Sequence, residues 1–100
     1  MSSIEEIRSL ILAAAKEKGI SLRFSEEFDK LIKKTKDDNT KIRLFKQILK
    51  IVQNPGIGKH MRYSRKGEQE VYLDSFRLYY VFYEQERIIR FVEYSHKDEQ

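Results

Sequence analysis

Hydrophobic residues in the first half of the chain recur every three or four positions, which is the spacing of a helix face. This spacing predicts three helices, over residues 4–18, 25–35 and 40–53. Ser3, Ser25 and Thr40 stand at the start of these runs and are candidate N-caps, because their side-chain oxygens can accept a backbone N–H. Gly19 ends the first helix, and Asn54-Pro55-Gly56 ends the third.

A strand-like pattern appears between the first two helices and again after Met61. Apolar and polar residues alternate over residues 20–24. Three later runs are rich in β-branched and aromatic residues, at 70–73, 76–83 and 87–94. Short polar turns separate these three runs, which predicts two consecutive antiparallel hairpins. The order α-β-α-α-β-β-β indicates an α+β domain, with its helices packed on a small, mostly antiparallel β-sheet.

The composition narrows the class of protein. A chain of 100 residues, with 40% hydrophobic and 36% charged side chains, is enough for one folded core. It has no cysteine, which excludes a disulfide scaffold, a thiolate metal site and a cysteine nucleophile. Its apolar runs are far shorter than a membrane span, and it shows no phosphate-binding glycine loop and no histidine pair at metal spacing. We therefore expect a cytoplasmic protein with no cofactor and no metal.

Positive charge is concentrated in the middle of the chain. Residues 30–66 carry twelve Lys and Arg against two Asp, whereas the other residues carry eight basic and fourteen acidic side chains, giving +4 in total. Such a concentration is typical of a surface that binds a polyanion, although lysines that merely solvate a helix give the same pattern. Four of these cations lie close together before the hairpins and are candidate phosphate ligands: Lys59, Arg62, Arg65 and Lys66.

Three segments, in the right order, resemble the RelE/ParE superfamily of toxins from type II toxin–antitoxin systems. They are Asn54-Pro-Gly-Ile-Gly-Lys59, Phe76-Arg-Leu-Tyr-Tyr80 and the ending His96-Lys-Asp-Glu-Gln100. The resemblance covers residues 20–100 and implies that family's fold, a helical hairpin packed on a small sheet. Residues 1–19 are then an amphipathic N-terminal extension.

The resemblance also implies a function and its site residues. Most members inhibit translation by cutting mRNA in the ribosomal A site, so the implied partners are a cognate antitoxin, the ribosome and mRNA. Arg77 matches the arginine that stabilises the transition-state charge, Lys59 matches the lysine of the glycine–lysine loop, and His96 falls where YoeB-like members keep a catalytic histidine. Such a set can cut RNA without metal, because a base removes the 2′-OH proton, cations stabilise the phosphorane and an acid protonates the leaving oxygen.

Three further residues are candidates for contacts with RNA. Lys97 lies beside the catalytic candidate His96 and is a possible phosphate ligand. Tyr63 and Tyr94 are candidates for stacking on a base. Tyrosines in consecutive hairpins are more often core residues, so a structural role is the alternative for both.

Two departures from the RelE pattern keep other functions open. Glu70 and Tyr72 stand where RelE carries two lysines. One alternative is a ParE-like toxin that inhibits DNA gyrase without being a nuclease, and another is an inactive relative that binds RNA or a partner. Arg77 could likewise be a structural residue that pairs with Glu70 or Asp74.

The N-terminal helix has an apolar stripe that must be buried against something. Packing on the domain's own helical hairpin, a dimer contact, and occupation of a groove that an antitoxin would otherwise use are all compatible with it. Acidic and basic side chains share the polar side of this helix, which argues against binding to a membrane surface.

Overall fold

Three α-helices and five strands form the computed structural model, which describes residues 3–73 and 75–96. In chain order they are α1 (Ile4–Lys18), β1 (Ser21–Phe24), α2 (Glu26–Lys34), α3 (Asp38–Gln53), β2 (Lys59–His60), β3 (Gln69–Leu73), β4 (Phe76–Tyr83) and β5 (Ile88–His96). Every predicted element is present, with its ends within two residues of the predicted ones, so the α+β assignment is confirmed. None of these helices is long and apolar enough to cross a membrane.

The strands form one mixed sheet in the order β1-β5-β4-β3-β2. β1 runs parallel to β5, and the other neighbouring pairs are antiparallel. The helices cover one face of this sheet through a continuous hydrophobic core. Its fully buried members include Phe28, Leu44, Leu78, Tyr80 and Phe91.

The shortest strand, β2, was not predicted. It pairs antiparallel with β3, with Lys59 opposite Glu70 and His60 opposite Gln69. Two residues are too few to show an alternating pattern, so the sequence carries no periodic signal for this strand.

The start of α3 also differs from the prediction, because Asp37 rather than Thr40 is the N-cap. The Asp37 carboxylate accepts hydrogen bonds from the backbone N–H of Asn39 at 3.3 Å and from the hydroxyl of Thr40 at 2.6 Å. The hydrogen bond from Thr40 is the main reason why the pKa of Asp37 lies below its ordinary value. Thr40 therefore supports the cap from within the first turn of the helix.

The N-terminal helix α1 packs against α3 and contributes to the same core. Its buried residues are Ile7, Ile11 and Ala15. Gly19 ends the helix in the left-handed region, with φ 65°, as its position predicted. Leu10 and Leu12 stay 53% and 66% exposed, so a dimer contact through α1 would rest on them and stays a prediction. The division of the chain at residue 19 also stays a prediction.

Candidate functional site

The sheet face turned away from the helices carries a cluster of charged and aromatic side chains. Register partners on antiparallel strands share a face. Glu70 pairs with Lys59 on one side and with Tyr79 on the other, and Tyr72 pairs with Arg77. We call this surface the open face. It comprises Lys59, Glu70, Tyr72, Arg77, Tyr79 and Glu93.

Arg77 lies in the middle of the open face. Its Nη1 is 3.7 Å from Oε2 of Glu70, and its guanidinium is 5.3 Å from the ring centroid of Tyr72. A hydrogen bond with Tyr79 is the main cause that raises the pKa of Arg77, so the group stays cationic. The ion pair with Glu70 confirms one of the structural contacts considered for Arg77, whereas Asp74 lies outside the described residues. The Arg77 side chain is still 22% exposed and accessible to a ligand.

A second arginine, Arg65, reaches over the open face from the loop between β2 and β3. Its guanidinium lies 3.8 Å above the ring centroid of Tyr79, which is 1% exposed. The same group forms ion pairs with Glu68, at 2.8 Å, and with Glu93 on β5. Burial alone would lower the pKa of Arg65, but the hydrogen bonds to these two carboxylates outweigh it and raise the pKa. Arg65 is therefore engaged by protein groups, and its contact with phosphate stays a prediction.

The cations of β2 and of the rest of this loop lie in solvent. Lys59, Arg62 and Lys66 are exposed. Tyr63 is 91% exposed, and its φ of 61° places it in the left-handed region that a bulky residue rarely adopts. An exposed aromatic ring beside exposed cations suits the binding of a stacked base flanked by phosphates.

Two buried side chains hold the loop that leads into Lys59. The hydroxyl of Tyr80 donates to the carbonyl of Pro55 at 2.7 Å and accepts from the backbone N–H of Gly58 at 2.9 Å. The side-chain amide of Gln69 donates to two carbonyls of the same loop, those of Pro55 and Gly58. Burial raises the pKa of Tyr80 despite the opposing effect of the Gly58 hydrogen bond, so the hydroxyl stays protonated. These contacts fix where β2, and with it Lys59, begins.

We expect Gly58→Ala to weaken this loop. A Cβ at Gly58 would lie 2.7 Å from the hydroxyl oxygen of Tyr80 and 2.9 Å from Cβ of Gln69, which are closer than real contacts. The free energy of unfolding should fall by about 1–3 kcal/mol in urea denaturation. Gly56→Ala is the matched control, because its Cβ would meet only Asn54 Oδ1, at 3.7 Å. Equal stability of the two variants would contradict this account of the loop.

Tyr94, which was predicted to stack on a base, lies in the core instead of on the open face. Tyr94 is 3% exposed, lies opposite Leu78 in the core, and stacks on Phe76 with 4.7 Å between ring centroids. This burial contradicts its assignment to base stacking and supports the core role considered beside it. His96 ends β5, but its side chain and all of Lys97 lie outside the described residues.

The open face offers guanidinium, ammonium, phenol and carboxylate groups. Within residues 3–73 and 75–96, no group of three or more His, Cys, Asp or Glu side chains is placed to hold a metal ion. The exposed cations of the open face can bind an anion, and its carboxylates can exchange a proton.

Sequence comparison finds no match, whereas structure comparison finds proteins with the same fold. No protein-family model matches the chain, and no curated protein matches it. A chain of the toxin–antitoxin complex RelBE2 from Mycobacterium tuberculosis matches with a TM-score of 0.68 and 15% identity, over 77% of this chain and 96% of that one. The fold is that of RelE. A chain of the intact Escherichia coli RelBE toxin–antitoxin complex matches with a TM-score of 0.66 and 18% identity, over 77% of this chain and 95% of that one.

A mutant of Escherichia coli toxin RelE in the free state has the same fold, with a TM-score of 0.63 and 20% identity, over 80% of this chain and 84% of that one. Identities this low establish the RelE fold alone. In the first two matches the other chain is covered almost completely, whereas nearly a quarter of the present chain lies outside the matched part.

Sequence reasoning found only part of the open face of this RelE fold. It identified Arg77 and Lys59 as candidates and missed Tyr79 and Glu93. Glu70 lies on the strand that precedes the strand of Arg77, and this was the signal for considering Glu70 or Asp74 as a structural partner of Arg77. Nothing in the sequence indicated that Arg65 would bridge to Glu93 on another strand.

Proposed function

We propose that the protein is the toxin of a toxin–antitoxin module and inhibits translation by cutting mRNA in the ribosomal A site. The observation that carries the proposal is Arg77, which is cationic and partly exposed on the open face of a RelE fold. Three exposed cations precede it in the chain: Lys59 on β2, and Arg62 and Lys66 in the loop that reaches over this face.

The roles follow from the chemistry of metal-independent RNA cleavage. Arg77 stabilises the charge of the phosphorane that forms when the 2′-oxygen attacks phosphorus. The exposed loop cations hold the RNA backbone, and Tyr63 stacks on a base. His96 protonates the leaving 5′-oxygen, because an imidazole titrates near neutral pH, and Lys97 adds a phosphate contact. Arg65 joins the phosphate contacts when it exchanges its carboxylate partners for RNA.

The partners of this toxin are a cognate antitoxin, the ribosome and mRNA, and its compartment is the cytoplasm. Support for the antitoxin comes from two of the structural neighbours, which are toxin–antitoxin complexes. The reaction proposed for Arg77 and His96 needs no cofactor.

Controlled expression in bacterial cells tests the proposal. Induction of the protein should stop growth while the ends of cellular mRNAs, mapped by primer extension, move to positions within codons. The DNA-damage response should stay silent. Growth arrest with intact messages, or no arrest at all in the absence of any antitoxin, would contradict the proposal.

A ParE-like inhibitor of DNA gyrase is the second candidate. The observation that favours it is Glu70, an acidic residue at a position where RelE carries a lysine, paired with Arg77 so that part of the positive charge of the open face is neutralised. This candidate predicts a DNA-damage response with intact mRNA and inhibition of gyrase in a supercoiling assay. A third candidate, an inactive relative that binds RNA or a partner, predicts neither effect.

A further inference from the structure

One buried carboxylate on the open face has no role in the function proposed above. Glu70 is 4% exposed, and its Oε2 accepts no hydrogen bond from any residue in the described part of the chain. Its ion pair with Nη1 of Arg77, at 3.7 Å, is longer than a hydrogen bond. A buried carboxylate normally receives hydrogen bonds, because burial without them costs free energy. Glu70 is therefore an acceptor with unused capacity, 3.7 Å from a partly exposed arginine.

The charged and titratable groups around Glu70 are few. Lys59 lies opposite it on β2, Tyr79 lies opposite it on β4, and Arg77 is its diagonal neighbour on β4. Arg65, above Tyr79, is occupied by two other carboxylates. Among the described residues, Arg77 is thus the cation that forms an ion pair with Glu70.

We propose that Glu70 is the general base of the RNA cleavage and that it is uncovered when Arg77 turns to the scissile phosphate. The inference rests on the proposed function and names a catalytic residue for it. A guanidinium makes two parallel hydrogen bonds to a phosphate, which is a stronger contact than the long ion pair with Glu70, and it has further N–H groups with which to keep its hydrogen bond to Tyr79. The exposed part of the Arg77 side chain gives it a path outward. Its departure opens Oε2 of Glu70 to the 2′-hydroxyl of the bound nucleotide.

The step is balanced without any further reactant. The 2′-hydroxyl gives its proton to Oε2 of Glu70, and the 2′-oxygen forms a bond to phosphorus. The bond between phosphorus and the 5′-oxygen breaks, and the 5′-oxygen takes a proton from the acid, for which His96 is proposed. The products are a 2′,3′-cyclic phosphate and a 5′-hydroxyl end. Glu70 then returns its proton to solvent.

The experiment measures single-turnover cleavage of a message on programmed ribosomes, with saturating protein. We expect Glu70→Gln to slow cleavage at least about 100-fold, because general-base catalysis contributes a factor of that order or more. Glu70→Asp keeps the carboxylate and should recover part of the rate.

Three controls separate a base from a structural residue. Glu86→Gln makes the same chemical change on an exposed turn and should cleave like the wild type. Thermal unfolding checks that Glu70→Gln is folded at the assay temperature. Ribosomes carrying a message with one 2′-deoxynucleotide at the cleavage position should bind wild type and Glu70→Gln equally, because this message cannot be cut.

The outcomes also distinguish a failure of the proposed function from a failure of the role inferred for Glu70. A folded wild type that cuts no message overturns the proposed function, and the inference with it. A wild type that cuts while folded Glu70→Gln cuts at the same rate, or binds the uncuttable message more weakly than the wild type does, overturns the inference alone. In the second of these cases Glu70 only holds Arg77 in place.

Discussion

Arg77→Ala is expected to slow the cleavage of a message on programmed ribosomes by at least about 100-fold, the order seen when one transition-state donor is removed from an enzyme. Arg77 is the cation in the middle of the open face, and the phosphorane carries an extra negative charge on its oxygens. Arg77→Lys keeps the charge but loses the planar pair of donors, so its rate should fall between those of the wild type and Arg77→Ala. Single-turnover rates with purified protein measure the effect.

Arg23→Ala is the control for this prediction. Arg23 lies on the exposed edge strand β1 and donates a hydrogen bond to the carbonyl of its neighbour Leu22. Arg23→Ala removes the same charge at the edge of the sheet, away from the strand β4 that carries Arg77, and should leave the rate unchanged. If Arg77→Ala cleaves as fast as Arg23→Ala, Arg77 does not stabilise the transition state. Urea denaturation of all variants shows whether a slow variant is simply unfolded.

Arg65→Ala is expected to lower the free energy of unfolding by about 2–4 kcal/mol. The change leaves Glu68 and Glu93 without their cation and uncovers the ring of Tyr79. Removing one partner of a buried ion pair is costly because the other charge stays behind, and these side chains, at 20–30% exposed, are buried enough for most of that cost to apply. Urea denaturation measures the effect.

The matched variant for this second prediction is Arg62→Ala. Arg62 is an exposed cation of the same loop, so its loss should change stability by less than about 0.5 kcal/mol while weakening the binding of RNA. Equal stability of the two variants would mean that the contacts of Arg65 do not hold the loop on the open face. Arg65 would then be one more solvent-exposed cation.

The fold could be predicted well because its elements carry local signals. The helices show apolar periodicity and cap residues, and Ser25 illustrates why a cap is informative. Its hydroxyl accepts from the backbone N–H of Phe28 at 3.1 Å and donates to the carbonyl of Val92 at 2.6 Å, which joins the start of α2 to β5. The two-residue strand β2 has no such signal, because it exists only through its pairing with β3.

The site could be predicted less well because a β-bulge changes which side chains share a face. In the register of β4 and β5, Tyr80 lies opposite Phe91 but Tyr79 lies opposite Glu93, so that one extra residue of β5 is accommodated. Strict alternation after Phe91 would place Glu93 in the core and Tyr94 on the open face. The bulge reverses both, which buries Tyr94 and brings Glu93 to Arg65. Tertiary pairing, rather than the local pattern, decides this.

Cell-free translation with the purified protein tests the central claim most directly, with the ends of the message mapped by primer extension. The account predicts cuts within codons that require ribosomes on the message and disappear with Arg77→Ala. An intact message and normal protein synthesis at a concentration of folded wild type well above that of the ribosomes would contradict it. A supercoiling assay with DNA gyrase would then test the ParE-like candidate.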